Sequence, residues 1–174
     1  MAGTRASQPY VDRAIEGTVE EAMESARVVA LLGPRQAGKS TLALRLATQR
    51  LSADYVTLDD DSMLALAESD PMGFIADHGT PLVIDEIQRA PQLLLAIKSR
   101  VDRDDSRGQF LITGSANLSR LPTVPDALPG RVDYLSLWPF TQGEIAGRRD
   151  TFLAGLLARE APMGKDAVGR RAQD

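Results

Sequence analysis

The residues best suited to chemistry form one short stretch, residues 33–41, which contains the spacing G-x-x-x-x-G-K-S. In this pattern the glycines let successive backbone N–H groups curl around a phosphate group. Lys39 is then placed to reach the β- and γ-phosphate oxygens, and the Ser40 hydroxyl is a ligand for Mg²⁺. The predicted contacts come from Gly33, Pro34, Arg35, Gln36, Ala37, Gly38, Lys39, Ser40 and Thr41. We therefore expect a loop that binds a nucleotide through its phosphates.

An acidic pair, Asp85 and Glu86, follows the apolar run 82–84. A carboxylate in the first position holds Mg²⁺ through water, and one in the second position can orient and deprotonate an attacking water. Two solvated acids at the end of a strand are the structural alternative, which the neighbouring phosphate-loop motif disfavours. The pair makes hydrolysis of a bound nucleoside triphosphate chemically feasible.

Four further residues have open roles. Ser115 and Asn117 follow the predicted strand 109–113, where they can position water or sense a γ-phosphate, although an ordinary turn explains them as well. Arg131 can stabilise charge in the transition state, as an arginine finger does, or form a surface ion pair. Arg35 can contact phosphate or a neighbouring acid. The sequence leaves each of these alternatives open.

These residues need a scaffold, and the apolar pattern predicts one. Strand-like runs lie at 28–32, 55–58, 81–84, 109–113 and 132–137. Helix-like spacing occurs at 12–25, 39–49, 63–69 and 91–101. Because strands alternate with helices, we expect an α/β fold with a mainly parallel five-stranded sheet and helices on both faces. Ligands then bind at the carboxyl ends of the strands.

Other polar and aromatic residues have structural explanations. The acidic cluster 59–61 is expected to cap the helix 63–69 rather than to hold a metal, and Pro71 is expected to end that helix. Trp138 and Phe140 are predicted to be core or interface aromatics, because an isolated Trp-Pro-Phe is no stacking platform for bases.

The composition excludes several classes of site. With no cysteine and a single histidine, the chain has no disulfide, thiolate metal site or multi-histidine site. A net charge of -4 leaves binding to duplex nucleic acid unsupported. No apolar run reaches the roughly 18 to 20 residues of a membrane helix, and the first residues are not signal-like. We therefore expect a cytoplasmic protein without membrane contact.

Taken together, the motifs resemble the prokaryotic AAA-superfamily ATPases whose nucleotide domain is usually followed by a C-terminal domain of unknown function. The resemblance is carried by residues 32–40, 83–88, 110–115, 129–132 and 137–140, with Glu144. It implies a three-layer P-loop NTPase fold in which strand 109–113 separates the phosphate-loop (Walker A) strand from the Asp85 (Walker B) strand. It also implies ATP or ADP as ligand, Mg²⁺ as cofactor, and assembly into a homo-oligomer or with a protein partner.

The resemblance also divides the chain. Residues 1–26 are expected to hold a helix that packs on the domain, residues 27–150 to form the AAA-type ATPase core, residues 151–161 to form a terminal helix, and residues 162–174 to be a disordered tail. The chain stops soon after the ATPase core, where relatives continue.

The favoured function is Mg-ATP binding with hydrolysis, in which the catalytic candidates are Lys39, Glu86, Ser115 and Arg131. The alternative is a truncated, non-catalytic interaction module that docks a partner when nucleotide is bound. A small-molecule kinase is less favoured, since a kinase gains nothing from a water-activating Glu86. A guanine-specific switch is disfavoured because the chain contains no N-K-x-D motif.

Overall fold

The computed structural model describes residues 10–115 and 130–147, and its helices and strands alternate along the chain. In chain order they are α1 (Glu16–Ser25), β1 (Val28–Gly33), α2 (Lys39–Leu46), β2 (Asp54–Thr57), α3 (Asp61–Ser69), α4 (Pro71–Asp77), β3 (Leu82–Asp85), α5 (Leu93–Val101), β4 (Phe110–Ser115), β5 (Val132–Ser136) and α6 (Gln142–Ile145). A π-helical turn, Ala47–Leu51, continues α2, and a 3-10 turn, Ile87–Arg89, follows β3.

The five strands form one sheet in the order β2-β3-β4-β1-β5, and every strand pair is parallel. Strand β4 lies between β1 and β3, with Phe110 paired to Val28 on one side and to Leu82 on the other. The predicted α/β fold, with one strand separating the phosphate-loop strand from the Asp85 strand, is confirmed.

Helices cover both faces of the sheet, because a parallel sheet must bury both faces. Alternate residues of β1 enter different cores: Val28 and Ala30 lie in one cluster, and Val29 and Leu31 lie in the other. Helices α3, α4 and α5 complete the first cluster, and helices α1 and α2 complete the second. The result is the predicted three-layer arrangement, and α1 packs on the domain as an integral part of it.

The parallel sheet brings several of the candidate site residues together at the carboxyl ends of its strands. The carboxyl ends of β1, β3 and β4 are Gly33, Asp85 and Ser115, and the register pairs Gly33 directly with Ser115. Sequence-distant side chains therefore meet where ligands of open α/β sheets bind.

The segment after α3 differs from the prediction. Pro71 does not only stop α3; it is the first residue of α4. The fixed φ angle and missing N–H of proline suit the first helical position, and the Asp70 side chain caps the new helix by accepting from the Gly73 N–H at 2.8 Å. The expected cap of α3 is confirmed, since the Asp60 carboxylate accepts from the backbone N–H groups of Ser62 and Met63.

Replacement of Asp70 by alanine is expected to lower the free energy of unfolding by about 0.5–2 kcal/mol, because α4 loses its N-terminal cap. Helix α4 carries Phe74 and Ile75 into the core, so the loss is coupled to packing. Urea unfolding followed by circular dichroism measures it. Asp77→Ala, at the other end of α4, is the control: a negative charge there opposes the helix dipole, so its removal costs no stability. Equal stability of the Asp70→Ala and wild-type proteins would contradict the capping role.

Several predicted features lie outside the described residues: Asn117, the terminal helix 151–161 and the tail 162–174. Within residues 10–115 and 130–147, no helix combines the length and the apolar character needed to cross a bilayer.

Candidate active site

The loop between β1 and α2 has the backbone of an anion-binding site. Gln36 and Gly38 have positive φ angles of 64° and 90°, a region that glycine adopts without strain. Alternation of left- and right-handed residues points successive N–H groups into one concavity, which attracts anions. Helix α2 begins at Lys39, so its free N–H groups and dipole add to the same attraction.

Gly33 is required by a close approach of the chain. A Cβ atom at this position would lie 2.2 Å from the carbonyl oxygen of Leu137, in the segment that follows β5. The Leu137 N–H in turn donates to the carbonyl of Leu32 at 2.7 Å. The start of the phosphate loop is therefore held against the segment after β5, and no side chain fits between them.

Lys39 is buried, with 5% of its surface exposed. Its Nζ atom donates to the carbonyl oxygens of Gly33 and Pro34, each at 3.1 Å. An ammonium group has three N–H donors, so one remains for a phosphate oxygen. These two bonds hold the ammonium group of Lys39 at the start of the loop.

A cavity of about 340 Å³ lies over the loop. It is lined by Arg35, Gln36, Gly38, Lys39, Ser40, Thr41 and Glu86. A larger cavity, of about 560 Å³, lies where β3 and β4 begin, at the other edge of the sheet, and its lining includes Pro81 and Gly108. The smaller one is the candidate site, because it contains the loop, an ammonium group and a carboxylate that came from distant parts of the sequence.

Asp85 is buried at the carboxyl end of β3, with 2% of its surface exposed. Its Oδ1 accepts from the Thr113 hydroxyl at 2.5 Å, and its Oδ2 accepts from the hydroxyls of Tyr55 at 3.2 Å and Thr57 at 3.4 Å. Three hydroxyl donors compensate the burial of the carboxylate. Burial, together with the adjacent Asp85 charge, raises the pKa of the Tyr55 phenol, so Tyr55 stays a neutral donor.

Glu86 has a strained backbone and an oriented side chain. Its φ angle is +60°, which for a residue with a Cβ costs of order 1–3 kcal/mol and is typical of functional positions. The Glu86 N–H donates to the Thr113 hydroxyl at 3.1 Å. The Gln88 side chain amide donates to the Glu86 carboxylate, and its carbonyl oxygen accepts from the Ser115 N–H at 3.2 Å. Gln88 thus joins Glu86 to the end of β4.

The available oxygen donors fit Mg²⁺, which prefers hard oxygen ligands and keeps several waters. Ser40 lines the cavity, and the buried Asp85 is the last residue of β3, next to Glu86, which also lines the cavity. A carboxylate offers about four acceptor positions, so the three hydroxyl bonds leave room for one metal-bound water. Ser40 and Asp85 therefore remain the residues that would hold the ion.

The structure brings most of the predicted site residues together. Arg35 lines the cavity, whereas Ser115 is connected to the cavity residue Glu86 through Gln88, which accepts from the Ser115 N–H. The hydroxyl that bonds to Asp85 is that of Thr113, which lies two residues before the Ser115 candidate on β4.

Arg131 is not part of the site of its own chain. It precedes β5, its carbonyl accepts from the Val28 N–H at the beginning of β1, and its Nε donates to Asp102 at 2.5 Å. The length of β1, roughly 16 Å, separates that edge of the sheet from the phosphate loop. The arginine-finger interpretation of Arg131 is therefore wrong within one chain, and the ion-pair alternative is correct.

The cluster 59–61 is likewise structural. Asp60 caps α3, whereas Asp59 and Asp61 pair with Arg89 at 2.9 Å and 3.5 Å.

Trp138 and Phe140 are not core residues, since 69% and 44% of their surfaces are exposed.

Sequence reasoning missed Tyr55, Thr57 and Gln88. The two β2 residues reach Asp85 because Thr57 pairs with Asp85 in the register of β2 and β3, which no spacing along the chain reveals. In the sequence, Gln88 was noted only as part of segment 83–88, one of the segments that carry the family resemblance, and no role was assigned to it. Its position two residues after Glu86, in a tight 3-10 turn, directs the amide back to the carboxylate.

Replacement of Thr113 by valine is expected to lower the free energy of unfolding by about 1–3 kcal/mol, because buried groups lose their partner. The Thr113 hydroxyl is the shared partner of the Asp85 carboxylate and the Glu86 N–H. Thr113→Ser keeps the hydroxyl and is the matched control, expected to retain most of the stability. Denaturant titration compares the three proteins, and a valine variant as stable as the wild type would contradict the network.

Comparison with known proteins agrees with this geometry. The family model of the AAA domain matches residues 25–146. The uncharacterized protein Rv2008c of Mycobacterium tuberculosis is 36% identical over 128 residues, which cover 73% of this chain and 28% of the relative. The uncharacterized protein Mb2031c of Mycobacterium bovis gives the same values. The chain thus spans 28% of the length of these curated relatives.

Among solved structures, C. elegans PCH-2 superposes with a TM-score of 0.39 and 16% identity, covering 72% of this chain and 41% of that one. Bacteroides Pif1 bound to ssDNA gives a TM-score of 0.40 and 12% identity, covering 88% of this chain and 47% of that one.

Proposed function

The chain belongs to the AAA domain family, and on this premise we propose that it binds Mg-ATP at residues 33–41 and hydrolyses it. The observation that carries the proposal is the shared cavity: the phosphate loop, Lys39 and Glu86 line the same space, although Glu86 comes from another strand. A phosphate-binding loop alone supports binding, whereas a carboxylate facing the same space supports hydrolysis.

In this proposal the loop and Lys39 recognise the triphosphate. The backbone N–H groups and the α2 N-terminus bind phosphate oxygens, and Lys39 neutralises the charge of the β- and γ-phosphates. Ser40 and Asp85 would hold Mg²⁺, which supplies further neutralisation of phosphate charge when bound. Thr113, Tyr55 and Thr57 keep the Asp85 carboxylate in place for this task.

Glu86 is the proposed general base. Its carboxylate orients a water molecule and accepts its proton while the water oxygen bonds to the γ-phosphorus. The bond from the γ-phosphorus to the bridging oxygen breaks, and ADP and inorganic phosphate result. Ser115, at the end of the neighbouring strand, is the proposed sensor of the γ-phosphate, linked to Glu86 through Gln88.

Assembly is a second element of the proposal. Among the described residues, only the loop 33–41 and Glu86 line the cavity, and Arg131 of the same chain lies at the opposite end of β1. We propose that a further copy of the chain, or a protein partner, completes the site during turnover. The proposal makes activity depend on protein concentration.

Phosphate release from Mg-ATP, measured over a range of protein concentrations, tests the proposal. Turnover per chain is expected to rise with concentration, and it needs no added acceptor molecule. Saturable nucleotide binding without phosphate release at any concentration would instead indicate a non-catalytic interaction module. Phosphate transfer that requires an added acceptor would indicate a kinase.

A further inference from the structure

A buried arginine outside the catalytic groups joins the phosphate loop to a distant part of the chain. Arg13 precedes α1 and is 6% exposed. Its Nη1 donates to the carbonyl oxygen of Ala37, inside the phosphate loop, at 2.7 Å. Its Nη2 donates to the carbonyl of Trp138 at 2.5 Å, and its Nε donates to the Glu144 carboxylate at 3.1 Å. The guanidinium carbon lies 4.3 Å from the centre of the Phe140 ring.

Glu144 is fixed independently of this arginine. It accepts from the Ala14 N–H at 2.9 Å and from the Thr141 N–H at 2.8 Å, the second bond being part of the capping box of α6. Burial opposes ionisation, but these N–H donors and Arg13 bring the pKa of the Glu144 carboxyl below its usual value. The pair is therefore charged near neutral pH, and loss of one partner leaves the other charge buried without its counter-charge.

The segment 137–145 is attached to the phosphate loop at two places. At the start of the loop, the Leu137 N–H bonds to Leu32 and the Leu137 carbonyl lies against Gly33. In the middle of the loop, the guanidinium of Arg13 bridges the carbonyls of Ala37 and Trp138, and Ala37 and Leu137 belong to the same apolar cluster. A shift of the Ala37 carbonyl on phosphate binding would therefore move the guanidinium that also holds Trp138.

We propose that Arg13 is a positioning residue for the phosphate loop, and that it couples nucleotide binding at residues 33–41 to the conformation of residues 137–145. The identity of the ligand as a nucleotide rests on the proposed function, whereas the coupling to residues 137–145 goes beyond that function. Arginine suits this role because its planar fork donates to three separated acceptors at once, which the single ammonium of lysine does not reproduce. Coupling carried by such packed hydrogen-bonded contacts is typically worth a 5- to 150-fold change in affinity.

The molecule contains its own reporter of this coupling. Trp138 is the only tryptophan of the chain, and its side chain is 69% exposed while its carbonyl is bound by Arg13. A change in the segment alters the surroundings of the indole ring, so its fluorescence follows the segment directly. This readout is independent of turnover.

The experiment titrates the full chain with Mg-ADP and follows Trp138 fluorescence and binding heat in parallel. In the wild type we expect the fluorescence to change, and its midpoint ADP concentration to equal that of the binding heat. Arg13→Lys is expected to bind ADP about 5- to 150-fold more weakly and to lose most of the fluorescence change at saturating ADP. Because amplitude at saturation does not depend on affinity, a merely stabilising role of Arg13 would leave it unchanged.

Arg45→Lys is the matched control. Arg45 also lies over an aromatic ring, that of Tyr10 at 4.1 Å, and pairs with Asp12 at 3.1 Å and Glu16 at 3.6 Å, none of which belongs to the phosphate loop. Its affinity and fluorescence amplitude are expected to match those of the wild type.

Glu144→Gln is the second variant, and it decides the question if Arg13→Lys does not fold. It leaves Arg13 in the chain but removes the charge that orients it, so the amplitude is expected to fall while the loop keeps its sequence. A wild-type amplitude in the variants, or binding heat without any fluorescence change in the wild type, would overturn the coupling alone. Absence of binding heat with both ADP and ATP would overturn the proposed function together with it.

Discussion

Replacement of Glu86 by glutamine is expected to lower kcat for ATP hydrolysis by about 10²- to 10⁴-fold, because the amide cannot accept the proton of the attacking water. ATP binding is expected to stay near the wild-type level, since Glu86 lines the cavity but the phosphate contacts come from the loop and Lys39. Steady-state phosphate release gives kcat, and calorimetry gives the affinity.

The control for this substitution is Glu68→Gln, which makes the same chemical change on the exposed surface of α3. It is expected to leave both kcat and affinity unchanged. Glutamine at position 86 has nearly the same shape as glutamate and still accepts from Gln88, so the fold of the 3-10 turn is preserved. Undiminished turnover in the Glu86→Gln protein would show that another group activates the water.

Lys39→Ala is expected to weaken ATP binding by about 10- to 150-fold, which corresponds to the roughly 1.5–3 kcal/mol of a hydrogen bond to a charged group. The lysine is the buried cation of the cavity, and the alanine variant leaves phosphate charge without a partner. Its contacts to Gly33 and Pro34 are to backbone carbonyls, which remain near the open cavity and can be solvated.

Lys98→Ala, on α5 and outside the lining of the cavity, is the matched control and is expected to bind ATP as the wild type does. Calorimetric titration of the three proteins compares their affinities. An unchanged affinity of the Lys39→Ala protein would place the phosphates elsewhere on the molecule.

The sheet was predictable because its strands carry a strong local signal. Continuous apolar runs such as 28–32 can only be buried on both faces, and helices between parallel strands follow from connectivity. The phosphate loop was predictable for the same reason, since all its residues are consecutive. The position of Asp85 at the carboxyl end of a strand was predictable because it directly follows the apolar run 82–84.

The surroundings of Asp85 depend on register and were not predictable. Tyr55 and Thr57 reach the carboxylate only because β2 lies beside β3 in a particular alignment. The same physics explains the error at Arg131: a position close to a motif along the chain says nothing about which end of a strand the residue occupies. Pro71 was misjudged because proline both ends a helix and begins one.

The contacts of Arg13 could not be predicted from local sequence patterns. Its partners Ala37, Trp138 and Glu144 are distant from it along the chain, and no pattern of spacing joins them. Only the packing of the chain before α1 against the segment after β5 brings the arginine into contact with the loop 33–41.

The most direct test of the nucleotide site is calorimetric titration of the Glu86→Gln protein with ATP in the presence of Mg²⁺, conditions under which bound ATP is not consumed. The proposal predicts saturable binding of one ATP per chain, competition by ADP, and weaker binding when Mg²⁺ is chelated. Absence of saturable binding of both ATP and ADP, in a variant and a wild-type protein shown to be folded, would contradict it.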